Sequence, residues 1–113
     1  MNKELPLITV ITITKNRPNL LERAINTVKT QTYPNIKHFI VIDDCPSTLE
    51  MLEKKYSNDS KVYWEYHTRS TDDKSGPNVL AKLRTNAIHK IHEGWFSFLD
   101  DDNEFYPKHL EKL

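Results

Sequence analysis

Four runs rich in β-branched and aromatic residues alternate with three stretches of helical spacing. Leu7 to Ile13 reads Leu-Ile-Thr-Val-Ile-Thr-Ile, nearly continuous, as in a strand buried on both faces. Pro18 follows where a helix can start, since its missing N–H is not needed in the first turn, and Leu20, Leu21, Ala24, Ile25 and Val28 recur at helical steps. Pro34-Asn35 marks a turn, and Ile36 to Ile42 predicts a second strand that stops abruptly at Asp43-Asp44. Ser47-Thr48-Leu49-Glu50 predicts a capping box, with Ser47 as the cap and Glu50 reaching back, and Leu49, Leu52 and Tyr56 then form a helix face. Val62 to His67 alternates as a third strand, and Thr68 to Asn78 is a polar loop holding Gly76 and Pro77. Leu80, Leu83, Ala87, Ile88 and Ile91 predict a third helix that Gly94 is placed to end. Trp95 to Leu99 predicts a fourth buried strand, cut off by three aspartates, and Pro107 opens a last helix.

This β-α-β-α-β-α-β order predicts an α/β chain, a Rossmann-like three-layer α/β/α arrangement around a mainly parallel sheet. Such sheets bind ligands at the carboxyl ends of their strands, near the point where strand order reverses. Three polar segments meet that condition: Thr14-Lys15-Asn16-Arg17, Asp43-Asp44, and Asp100 to Asn103. No internal repeat or linker interrupts the pattern, so residues 1–113 read as a single domain, a size that can bury one core without staples.

Charge adds that these acidic clusters are local. Sixteen basic residues balance sixteen acidic ones, which gives no support for a nucleic-acid or membrane-surface partner. One cysteine, Cys45, permits no intrachain disulfide and suits a reducing compartment. No run approaches the roughly 18 apolar residues of a membrane helix, and Met1 to Pro6 lacks a signal-peptide layout. The expected location is cytoplasmic, with peripheral attachment at a membrane through a further segment left open.

Three adjacent carboxylates repel one another, and ending a strand with Asp100, Asp101 and Asp102 is costly unless a cation compensates. Carboxylate oxygens suit Mg²⁺ or Mn²⁺, which take one or two protein carboxylates and complete their shell with water and substrate phosphates. The same triplet also reads as a solvated turn before a helix, favoured by the helix dipole. Asp43-Asp44 can accept hydrogen bonds from a ligand, or simply form a turn with Pro46. Arg84 lies about 40° from the apolar line through Leu80, between core and solvent, where it can meet a phosphate or an acidic side chain. Neither a Gly-x-Gly-x-x-Gly nor a Walker-type Gly-Lys-Ser/Thr follows the first strand. His38, His67, His89, His92 and His109 show no zinc spacing beyond the i,i+3 pair His89 and His92, and Cys45 reads as a small buried residue without a base beside it.

Five segments in order resemble the family 2 glycosyltransferases of the GT-A fold: Ile8 to Pro18, Ala24 to Pro34 with its Gln-Thr-Tyr-Pro exit, Phe39-Ile-Val-Ile-Asp-Asp44, Arg84-Thr-Asn-Ala-Ile88, and Trp95-Phe-Ser-Phe-Leu-Asp-Asp-Asp102. The resemblance implies the N-terminal, nucleotide-sugar-binding part of such an enzyme, apparently truncated. It implies a nucleoside-diphosphate sugar donor, a UDP-sugar first among them, and transfer to a saccharide or lipid-linked acceptor with inversion, in polysaccharide or glycolipid assembly. By position, Thr14 and Lys15 would lie beside the base, Asp44 would accept from it, and Arg84 would sit near base or diphosphate. Asp100 and Asp101 would hold the ribose and phosphate side, and Asp102 with Asp100 would bind Mg²⁺ or Mn²⁺. Family members often carry an aromatic residue where Lys15 stands, and Cys45-Pro46 replaces a commoner Gly-Ser. The family's catalytic base is expected beyond residue 113, so no catalytic residue is assigned here. Two other readings stay open: a receiver-like Mg²⁺-binding signalling domain, set against by Thr14-Lys15 and His67-Thr68 where it needs aspartates, and a non-catalytic nucleotide-binding module.

Overall fold

The apolar runs form the strands that their composition dictates. The computed structural model describes residues 6–68, 77–91 and 94–101. Within them β1 (Ile8–Thr14), β2 (Ile36–Asp43), β3 (Val62–His67) and β4 (Trp95–Phe98) form one parallel sheet in the order β3-β2-β1-β4. α1 (Pro18–Lys29), α2 (Pro46–Tyr56) and α3 (Pro77–His89) make the crossovers. On one face Ile8, Val10 and Ile36 meet Ala24 and Val28 of α1, and Ile40 and Ile42 meet Leu21, Ile25, Leu52 and Tyr56. On the other, Ile11, Phe39 and Val41 meet Leu83 and Ala87 of α3. The three-layer parallel arrangement expected from the sequence is therefore the one observed. The chain moves outward from β1 to β2 to β3, then returns to β1's other side as β4. The order reverses between β1 and β4, and there the carboxyl ends of the strands open a crevice.

Four local expectations are corrected. α2 is capped by Cys45, not Ser47, with Pro46 in its first turn and no side-chain cap bond; Glu50 pairs forward with Lys54 at 2.8 Å instead of reaching back. A proline's fixed φ starts the helix two residues early and so moves Ser47 inside it. Pro77, assigned to a polar loop, opens α3 for the same reason. α3 ends at His89, not at Gly94; Gly94 (φ +75°) instead lets the chain pass close to Leu7, whose carbonyl oxygen would lie 2.1 Å from a β-carbon added there. β4, expected to be buried, is a sheet edge among the described residues: Trp95, Phe96 and Phe98 are 68%, 45% and 37% exposed, and only Leu99 just beyond is buried. Its continuous apolar composition does not distinguish a central strand from an edge whose far side is uncovered. Asp102, His92, His109 and the helix expected at Pro107 lie outside the described residues.

Candidate functional site

β1 and β4 pair from Ile8↔Trp95 to Ile11↔Phe98, and the Leu99 N–H still donates to the Ile11 carbonyl at 3.0 Å. Beyond that point the ladder stops, while β1 goes on pairing with β2 as far as Thr14↔Ile42. The opening left between the diverging ends is a cleft of about 620 Å³, lined by the turn Lys15-Asn16-Arg17, by Asp43 and Arg84, and by Asp100 and Asp101.

Each of these side chains is placed by its element. Thr14 ends β1, fully buried, and its hydroxyl donates to Asp101 Oδ2 at 2.9 Å. Asn16 takes the left-handed conformation (φ 55°), which turns the chain so that Arg17 can precede α1, its carbonyl accepting from Leu21 N–H at 2.9 Å. The Arg17 guanidinium then reaches across the cleft and donates to Asp101 Oδ1 at 3.2 Å. Asp101 is only 7% exposed, and each of its oxygens accepts a bond from the β1–α1 segment. Asp100 points the other way and is exposed, 3.9 Å from an Arg84 nitrogen; the Arg84 guanidinium lies 5.6 Å from the centre of the Phe98 ring. Lys15 is exposed on the cleft wall.

The residues singled out by sequence thus separate into two groups. Thr14, Lys15, Arg84, Asp100 and Asp101 meet in one cleft. Asp44 is not among its lining residues: it takes a left-handed φ of 49°, is exposed, and accepts from the Tyr66 hydroxyl at 3.3 Å. Asp43, buried and last in β2, faces the cleft in its place. Strand parity carries that signal, because Asp43 continues the Phe39–Val41 side that packs on α3. Asn16 and Arg17 are further lining residues that the roles drawn from family resemblance did not include. Cys45, buried beside this segment, takes up the expected small-residue position. Burial pushes its thiol up, but bonds from the Ser47 and Thr48 side chains and from the Thr48 and Asn16 backbones outweigh it and bring the thiol down to about 7.

The donor chemistry of the cleft fits a hard cation in part. Among the described residues no group of three potential ligands converges, and Asp101 is already paired. Among the described residues Asp100 alone offers an exposed carboxylate to the cleft, a number compatible with an ion that fills most of its shell with water and phosphate oxygens.

Comparison with known proteins agrees with this fold. The family description "Glycosyl transferase family 2" matches residues 9–113. WcaA of Escherichia coli (strain K12), named as a colanic acid biosynthesis glycosyl transferase, is 32% identical over 96% of this chain and 37% of its own length. The GalNAc(5)-diNAcBac-PP-undecaprenol beta-1,3-glucosyltransferase of Campylobacter jejuni is 29% identical over 96% of this chain and 34% of its own. This chain therefore spans little more than a third of these relatives. In fold it is similar to S. aureus TarS solved with UDP, with a TM-score of 0.74 at 21% identity, covering 94% of this chain and 30% of that one. Mannosyltransferase PcManGT of Pyrobaculum calidifontis, solved with GDP-Man and Mn²⁺, gives 0.69 at 17% identity, covering 88% and 28%. These likenesses go against a receiver-like reading, and the match across nearly the whole length means that the chain belongs to glycosyl transferase family 2.

Proposed function

We propose that this chain is the nucleotide-sugar-binding part of a glycosyltransferase. The cleft at the β1–β4 switch point would hold a nucleoside-diphosphate sugar, a UDP-sugar first among the candidates, for inverting transfer to a saccharide or lipid-linked acceptor. The observation that carries this reading is the convergence of Lys15, Arg17 and Arg84 with Asp43 and Asp100 around one 620 Å³ opening. Cations suit a diphosphate and carboxylates suit base N–H and ribose hydroxyl groups. Similar folds solved with UDP or with GDP-Man and Mn²⁺ support it.

Asp43 and Lys15 line the β1–β2 side of the cleft, and the base would lie against them. Asp44 can join only by turning from Tyr66. Arg84, half-exposed and held over Phe98, would meet the diphosphate. Asp100, with Asp102 beyond it in sequence, would hold Mg²⁺ or Mn²⁺. That ion would supply Lewis-acid stabilisation of the departing nucleoside diphosphate. The base that activates the acceptor is assigned to no residue of this chain. No helix among the described residues is long and apolar enough to cross a membrane, which fits a cytoplasmic protein or one held peripherally at a membrane.

Titration calorimetry with UDP, GDP and dTDP, with and without Mn²⁺, tests the reading. One nucleotide should bind, more tightly with Mn²⁺, and the metal-dependent gain should vanish in Asp102→Ala and Asp100→Ala. Equal binding by wild type and both variants would sink it, and binding without any metal effect would favour a metal-free nucleotide-binding module.

A further inference from the structure

The middle aspartate differs from its neighbour in a way that the acidic triplet does not announce. Asp101 is buried, and a buried carboxylate is tolerated only when paired and hydrogen-bonded. Its two oxygens are met separately: Oδ2 by the Thr14 hydroxyl at 2.9 Å, Oδ1 by the Arg17 guanidinium at 3.2 Å. Both donors belong to the end of β1 and the turn that follows. Both bonds lie past the last β1–β4 ladder pair, Ile11↔Phe98, where backbone bonding between the two strands has ceased. We propose that Asp101 is a positioning residue, a side-chain clamp that replaces the missing ladder and fixes the Lys15–Arg17 turn as the wall of the cleft. A cation seated on Asp101 would compete with the Arg17 guanidinium for the same oxygen, whereas Asp100 is exposed and held only by the longer, 3.9 Å approach of Arg84. The acidic run thus divides its labour: Asp100 faces the ligand and Asp101 holds the site's shape.

The inference rests on the donor-site reading for its functional consequence, but its structural core can be tested without any ligand. Asp101→Asn keeps an acceptor for Thr14 and removes the charge that Arg17 meets; Arg17→Ala removes the other partner from a half-exposed position. In amide hydrogen exchange on the nucleotide-free chain, each variant should accelerate exchange across residues 15–21 by about tenfold, the worth of one charge-assisted bond. β2 and β3 should be unaffected, and the double variant should add little to either single one. In calorimetry, Asp101→Asn should weaken UDP by a similar factor with and without Mn²⁺, with Arg17→Lys milder than Arg17→Ala. Unchanged exchange in both single variants overturns the clamp. So does an Asp101→Asn variant that binds UDP normally without metal and loses only the Mn²⁺-dependent gain, since that would make Asp101 a ligand. A wild type that binds no nucleotide would defeat the donor-site reading instead, while the exchange result would still decide on the clamp.

Discussion

β1 has two neighbours, and its two seams are built differently. Toward β2 it pairs along its whole length, Ile8↔Ile36 to Thr14↔Ile42, and almost every side chain on both strands is buried. Toward β4 it pairs over four residues, three of which leave their side chains largely exposed. Backbone ladder and apolar burial hold the first seam. The second depends on a short ladder, a glycine at its start and side-chain bonds past its end. The contrast teaches that the parallel sheet is continuously paired and buried on one side of β1, and open on the other, where the strands part to form the cleft.

The largest effect should come from cutting the β2 seam. Ile40 and Ile11 are fully buried on opposite faces of the sheet. Ile40→Ala is expected to cost about 3 kcal/mol in urea unfolding, from lost transfer energy plus the cavity. Phe96→Ala, on the exposed seam, should cost less than about 1 kcal/mol. Equal losses would mean that β4 belongs to the core as much as β2 does.

A second break targets β4 alone. Gly94 combines a positive φ with the 2.1 Å approach of Leu7's carbonyl to any added β-carbon, next to the Trp95 N–H···O=C Leu7 bond of 2.8 Å. Gly94→Ala should cost about 2 kcal/mol through backbone strain and displacement of the strand. Amide protection should fall at Trp95 and Leu99 while β2 and β3 keep theirs. Loss of protection across the whole sheet would erase the distinction between the seams.

Much of this contrast was legible in the sequence. β-branched runs and helical steps predict every element, because burial on both faces forces near-continuous apolar strands. The strand-end residues that line the cleft follow from topology once the order is known. What was not legible is which of Asp43 and Asp44 faces the cleft, and which of Asp100 and Asp101 is buried and paired. Asp43 and Asp44 are chemically identical, and only the pleat of β2, fixed by its packing on α3, separates them. Asp100 and Asp101 are separated by contacts 84 to 87 residues away in sequence, to Arg17 and Thr14, which no local pattern encodes. The Ser47 cap failed because two adjacent signals competed and the proline won. The exposure of β4 was hidden because hydropathy reports what a strand can bury, not whether something covers it.

The β2 seam should also carry the acid sensitivity. His38 is fully buried on β2 with Nε2 2.7 Å from the Thr12 hydroxyl, and its Nδ1 has no partner among the described residues. Burial pulls its pKa from 6.5 to about 3. The folded protein therefore keeps His38 neutral while the unfolded chain takes up a proton below 6.5. Stability falls as pH drops through that window, by about 2 kcal/mol between pH 7 and pH 5. His38→Gln should flatten this part of the pH profile in urea unfolding. A wild-type profile that is flat from pH 7 to 5 would place the imidazole in contact with water.

The smallest effect lies where the two seams share one turn. Asp101 holds the Lys15–Arg17 segment from the β4 side, and Cys45 holds it from the β2 side, its sulfur bonded by the Asn16 backbone as well as by Ser47 and Thr48 at 3.2 Å each. Burial opposes the thiolate and these bonds favour it, leaving the pKa lowered from 9.0 to about 7. A depressed acid contributes stability that is fully present above its unfolded value and lost as pH falls through its folded one. The wild type should therefore gain on Cys45→Ala between pH 7 and pH 9 and show no such gain below pH 6. Thiolate absorbance near 240 nm should rise with a midpoint near 7, and Thr48→Val should move that midpoint upward. A midpoint that stays near 9 would mean that the β2-side hold on the turn is packing alone, leaving Asp101 as its electrostatic anchor.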